Sequence, residues 1–265
     1  MKAIFELIGP DKARQYLEKN ISNRRLRLNA VNQMVSDMQN GRWRTNGSPL
    51  RFDENGRFVD GQHRLHAVIK SNTTQTFLVV YDVPCDAHNT IDIDSKARSA
   101  SDILSFNDVT SATTIAAIAR RIILWNKGRV AVGIKTTRHS ISNSEIVEYC
   151  LNNDLLEYAR FAGVLYDKAP FFGKSSIGFI FWLLSSIDYE QAVDFLRSLH
   201  DGIGLDERSP IYLLRRRLEK DLFSKSKLPG SEKQAILIKA WNLYRKGETV
   251  KLLKYSVEEE KPMPI

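Results

Sequence analysis

Along residues 1 to 100 the spacing of apolar positions switches from helical to extended and back. Residues 10 to 20 suit a short helix opening at Pro10, whose fixed φ and missing N–H fit a first helical turn. In LNAVNQMVSDMQNG, Leu28, Val31, Met34, Val35 and Met38 recur at three- and four-residue spacing, and Gly41 provides a stop. The period then shortens. Residues 49 to 52 and 57 to 60 read as strands around Asp53-Glu54-Asn55-Gly56, where Asn-Gly favours a hairpin. Residues 61 to 71 return to helix, with Leu65, Val68 and Ile69 on one face, and TFLVVYDV (76 to 83) reads as a buried strand.

Beyond this α/β stretch the pattern is helical. SATTIAAIARRIILWNKG ends at Gly128, and Ser142-Asn-Ser-Glu145 is a capping box. Residues 175 to 200 hold two apolar-periodic segments, and Ser209-Pro210 opens a helix with Ile211, Leu214 and Leu218 on one face. Ser231-Glu-Lys-Gln234 reads as the cap of a last helix through Tyr244. The expected class is α+β, with a small α/β domain over residues 1–108 and a helical domain over 109–265.

Composition narrows the setting. At 265 residues and 43% hydrophobic, the chain can bury a substantial core. It has no run of about 18 uninterrupted apolar residues, and its first twenty residues carry charges where a signal peptide needs an apolar centre. No membrane and a cytoplasmic setting are expected. Cys85 and Cys150 are too few and too far apart in sequence for a disulfide framework or a Cys-based zinc site, and read as ordinary buried thiols. The net charge of +8 and pI near 9.4 point to polyanionic partners, DNA among them. The excess is shared, with 15 Lys or Arg against 11 Asp or Glu up to residue 100, and 24 against 20 after it.

The densest chemistry lies in FVDGQHRLHAV, where Asp60-Gly61-Gln62-His63-Arg64 join an apolar strand to a helix. A helix start leaves backbone N–H groups without intrahelical partners and carries partial positive charge, which suits an anion. Gly61 permits close approach, and Arg64 offers a planar donor fork suited to phosphate. Gln62 and His63 add donors, and His63 lies about 160° from Leu65 on a helical wheel, away from the core. The same residues also permit a simpler arrangement, in which Asp60 caps the helix, Arg64 pairs with a carboxylate and His63 is solvated. His63 and His66 stand three apart without a carboxylate partner placed by sequence, so no metal site is expected.

Asp60-Gly61-Gln62-His63-Arg64, followed by Leu65 and Ala67, resembles the signature of the ParB/sulfiredoxin-like superfamily, over roughly residues 20 to 105. That group includes ParB N-terminal domains, sulfiredoxins, ParB-like free serine kinases and the DGQHR-motif proteins. The resemblance implies a nucleotide-binding domain in which Gly61, Gln62, His63 and Arg64 contact a nucleoside triphosphate, with Mg²⁺. Asp60, His63 and Arg64 are its candidate catalytic residues for an NTPase or phosphotransferase. Glu54, Asp92 and Asp94 are further candidates for the acidic base. Gln62 stands where sulfiredoxin needs Cys, which argues against sulfinic acid repair. No helix-turn-helix is recognised between residues 109 and 165, as a partition protein requires. Met38-Gln-Asn-Gly-Arg-Trp43, Thr90-Ile-Asp-Ile-Asp94 with Lys96 and Arg98, and Ala240-Trp-Asn-Leu-Tyr-Arg-Lys-Gly247 resemble phage and prophage proteins. This implies a role in phage or host DNA metabolism. The alternatives are a DNA-binding regulator switched by nucleotide and, ranked lower, a nuclease.

Four other groups each have a functional and a structural reading. Asn23-Arg24-Arg25-Leu26-Arg27 closes over nucleotide, meets DNA phosphate or forms a solvated basic helix end. Asp92 and Asp94 face one side of an extended segment or cap the following helix. Arg215-Arg216-Arg217 spread over roughly 200° of a helix, so no one groove uses all three. Leu237, Trp241 and Tyr244 form one stripe, which fits core better than a base-stacking platform.

Overall fold

The computed structural model describes residues 1–20, 25–86, 98–128, 141–256 and 259–265. Among these the fold is α+β, with eleven helices and one four-stranded mixed sheet. The chain divides into two compact units, one of Met1–Ser99 with Thr136–Glu145 and one of Ala100–Lys135 with Ile146–Ile265.

The first unit contains β1 (Lys2–Ile8), α1 (Pro10–Glu18), α2 (Leu28–Gln39), β2 (Leu50–Asp53), β3 (Phe58–Asp60), α3 (Gln62–Ser71) and β4 (Gln75–Val83). The sheet order is β1-β4-β2-β3, with β4 and β2 parallel and the outer pairs antiparallel. The hairpin expected at Asn55-Gly56 is present. Asp53 Oδ1 accepts the N–H groups of Asn55 and Arg57 at 2.9 and 2.8 Å, and Gly56 takes φ +74°. Strand β1 is an element that apolar spacing alone did not single out. It pairs along its length with β4, from Lys2 opposite Tyr81 to Ile8 opposite Gln75. One row of the sheet, including Ile8, Leu50, Phe52, Phe58 and Val79, packs against Val31, Met38, Leu65 and Val68 of the helices. On the opposite row, Phe5 and Leu7 are exposed.

A polar cluster ties β1 to α1 and β4. Tyr16 and Tyr81 donate to Glu6 at 2.6 and 2.7 Å, and Lys12 pairs with Glu6 at 2.6 Å. Partial burial opposes the Glu6 charge, but the bonds from Lys12 and the two phenols outweigh it, and its carboxyl lies below the usual range. Burial, followed by the Glu6 contact, pushes the Tyr16 phenol upward. Residues 141 to 145 also belong to this unit. Ser142 Oγ donates to Asp37 at 2.6 Å and accepts the Glu145 N–H at 3.0 Å, so the expected capping-box serine caps its helix and is itself held within this unit.

The second unit is helical: α4 (Ala100–Phe106), α5 (Ala112–Asn126), α6 (Asn143–Asn152, whose first residues lie in the first unit), α7 (Leu156–Lys168), α8 (Lys174–Ser185), α9 (Tyr189–Asp201), α10 (Pro210–Phe223) and α11 (Gly230–Arg245). Its core is aromatic. Phe161 stacks on Phe181 at 4.0 Å between ring centroids, and Phe195 meets Trp241 edge-on at 5.4 Å. Gly178 lets α8 approach α5, because a Cβ there would lie 2.3 Å from Ile118 Cδ1. Leu237 and Trp241 are fully buried with Tyr244 beside them, so the last helical stripe is core. Helix α11 starts at Gly230, with its cap two residues ahead of the expected Ser231. Pro229 takes the cap position, and its carbonyl accepts the N–H groups of Glu232 and Lys233. Among the described residues no helix is long and apolar enough to cross a membrane. Both cysteines are half-buried, in place of the full burial expected. Burial pushes the Cys150 thiol up to about 11, while contact with Glu54, then burial and Asp53, raises Cys85.

Two histidines couple this fold to pH. Burial lowers the pKa of His66, and burial lowers that of His200 despite its 2.9 Å contact with the Leu196 carbonyl. A histidine held neutral when folded binds more protons when unfolded. Stability therefore falls as pH drops below about 6.5, the value of a free imidazole. The melting temperature should fall between about pH 7.5 and 5.5, and His200→Leu should flatten that dependence. A melting temperature unchanged across the interval would contradict this coupling.

Candidate functional site

The junction between β3 and α3 is set by one backbone conformation. Gly61 takes φ +109° and ψ 10°, a left-handed geometry that turns the chain from Asp60 directly into a helix. A Cβ at this position would lie 2.3 Å from Leu50 Cδ2 and 3.1 Å from an Arg64 nitrogen. Both conformation and space therefore demand glycine. The Gly61 carbonyl accepts the N–H groups of Arg64 and Leu65 at 3.0 and 3.2 Å, starting α3. Leu65, Ala67 and Val68, each fully buried, anchor that helix beneath the sheet.

Arg64 turns back toward the chain. Its guanidinium donates to the Ser48 and Pro49 carbonyls at 2.5 and 2.7 Å and to Asp60 at 3.3 Å. The same Asp60 oxygen pairs with Arg51 at 2.5 Å. With only 13% of the Arg64 side chain and 18% of the Asp60 side chain exposed, this is a partly desolvated bracket holding the entry to β2 against the end of β3. The sequence permitted Asp60 as a helix cap, but α3 has no side-chain cap, and Asp60 serves the two arginines.

Gln62 is buried, its Oε1 accepting from Asn20 Nδ2 at a long 3.5 Å. His63 is half-buried, on the side of α3 away from Leu65 as expected. Its Nε2 accepts the Arg27 N–H at 2.9 Å, which assigns the ring proton to Nδ1 in the neutral form. Arg27 is the residue before α2, and α2 likewise has no side-chain cap. One imidazole thus joins the N-terminal ends of two helices, each bearing partial positive charge. Farther along, Lys70 of α3 donates to Asn32 of α2 at 2.6 Å. A cleft of about 750 Å³ opens along residues 26 to 33 at the start of α2.

The remaining candidates do not complete one constellation. Arg25 is exposed, and Glu54 is exposed in the β2–β3 turn, at the end of β3 opposite Gly61. Asn23, Arg24, Asp92 and Asp94 lie outside the described residues. Among the described residues no group of three or more His, Cys, Asp or Glu side chains is placed to hold a metal. The pairing of Arg27 with His63 was missed from sequence because it is a backbone contact between residues 36 positions apart, which carries no side-chain pattern. No family model, curated protein or solved structure matches the chain.

Two substitutions test this geometry. Gly61→Ala should cost about 2–4 kcal/mol, from strain at positive φ and overlap with Leu50. Arg64→Ala should cost about 2–3 kcal/mol by stripping the bracket of its donors. Urea denaturation measures both, and a loss below about 0.5 kcal/mol for either variant would mean that the junction is looser than described.

Proposed function

We propose that the junction holds the phosphates of a nucleoside triphosphate in a ParB/sulfiredoxin-like domain serving phage or host DNA metabolism. The observation that supports it is the meeting of two helix N-termini, neither with a side-chain cap, at His63. Converging helix dipoles and N–H groups favour a multiply charged anion over a neutral ligand. The N–H groups of the first turns are the contacting donors, with His63 placed between the two helix starts. Arg64 acts mainly as the positioning residue that fixes Gly61, because three acceptors already engage its guanidinium. Mg²⁺ fits as an ion carried on the triphosphate.

Between catalysis and a nucleotide-driven switch, the state of Asp60 among the described residues favours the switch. An NTPase or phosphotransferase needs an acidic group to accept a proton, and Asp60 would have to release an arginine first. Differential binding to two conformations needs no such base.

Thermal denaturation with ATP, CTP, GTP or UTP and Mg²⁺ tests the proposal. A nucleotide at about 100 times its dissociation constant adds roughly 2.7 kcal/mol, which raises the melting temperature by several degrees. The shift should grow from mono- to triphosphate and fall at least tenfold in apparent affinity for His63→Ala. No shift with any nucleotide, or a shift indifferent to His63, would refute the phosphate site. Steady phosphate release abolished by Asp60→Asn, with binding retained, would replace the switch by an enzyme.

A further inference from the structure

The basic excess of the later part of the chain is concentrated on one helix and its following loop. Residues 215 to 233 hold seven Lys or Arg against three Asp or Glu. Four of these cations are structural, among them Lys227, which donates to the Asp221 and Leu222 carbonyls at 2.8 and 2.5 Å. Arg215 donates to the Leu199 and His200 carbonyls at 2.7 and 2.9 Å, closing the end of α9. Arg217 bonds Glu232 at 3.2 Å and the Leu253 carbonyl at 3.3 Å. Lys233 pairs at 2.5 Å with Asp221, whose other oxygen accepts the Leu228 N–H.

Arg216 and Lys220 are different. They stand one turn apart on α10, both exposed, and neither forms an ion pair among the described residues. Both line an open cleft of about 720 Å³ whose apolar wall is Leu213, Leu228, Leu252 and Leu253. Arg216 lies over the Tyr212 ring at 5.8 Å, and at the end of the helix Phe223 is 88% exposed.

We propose that this α10 cleft binds single-stranded nucleic acid, with Arg216 and Lys220 on successive phosphates and Phe223 as a stacking platform for a base. Cations one helical turn apart have Cβ atoms about 6 Å apart, which matches neighbouring phosphates of an extended strand. A solvent-facing phenyl beside them supplies what an acidic peptide does not need and an unpaired base does. The site lies wholly in the second unit and uses none of the Gly61 residues, so it stands or falls independently of the nucleotide reading.

Fluorescence anisotropy of a labelled oligothymidylate with the full chain tests it, at several salt concentrations. Binding should weaken steeply with salt. Arg216→Ala with Lys220→Ala should reduce the slope of log affinity against log salt by about 1.4, at roughly 0.7 per phosphate contact. Phe223→Ala should weaken binding roughly tenfold with the slope unchanged. All three positions have exposed or partly open side chains, and unchanged melting temperatures establish that the variants fold. The exposed Arg120, on α5, serves as control through Arg120→Ala. No binding at about 20 mM salt, or affinity indifferent to the double variant, would overturn the proposal. So would displacement by polyglutamate with Phe223→Ala neutral, which would assign the cleft to an acidic protein.

Discussion

The first unit depends on the bracket that Arg64 forms with Asp60 and the carbonyls of Ser48 and Pro49. Gly61 admits no side chain, so the turn from β3 into α3 has no side-chain packing of its own, and neighbours must hold it in place. A guanidinium has a rigid fork of donors and can bridge a preceding loop and a carboxylate at once; a lysine at the same position would lack that planarity. Partial exclusion of water strengthens each bond and makes its loss costly. Once the turn is fixed, the position of α3 follows, and with it the register in which His63 meets the N–H of Arg27.

Local elements were legible in sequence wherever one face was buried. Helix α2 shows its buried Val31, Val35 and Met38 at helical spacing, and α3 does the same with Leu65 and Val68. Strand β1 was less visible because its apolar residues lie on both faces. Ile8 is buried while Phe5 and Leu7 are exposed, so no clean alternation separates inside from outside. The start of α11 lies two residues earlier than the Ser231 cap implies, for a related reason. Ser231 has the chemistry of a cap, but Pro229 already fixes the backbone angle that a cap residue needs.

The candidate site was legible as a cluster of residue types and not as a set of roles. Gly61 could be read directly, because a glycine between a strand and a helix implies left-handed backbone or close approach, and both are present. Arg64 could not. Its side chain serves carbonyls 15 and 16 positions earlier, and main-chain acceptors are the same at every residue, so no pattern announces them. The same blindness applies to Arg215, which ends α9 by bonding two carbonyls.

This use of arginine changes what a net charge of +8 means. A guanidinium that satisfies carbonyls adds to the formal charge but presents fewer donors to a ligand. Arg64, Arg215 and Arg217 are in this class, whereas Arg216, between two such residues, is exposed. The 200° spread of the three arginines, which sequence alone reads as a diffuse basic face, is a division of labour. Two side chains are turned to the fold, and one is left to the solvent-facing side of α10. Formal charge sets the long-range attraction for a polyanion, but contact is limited to the cations that folding leaves available. On that ground, Arg216 and Lys220, exposed and without an ion pair among the described residues, are the cations that α10 leaves available to a polyanion.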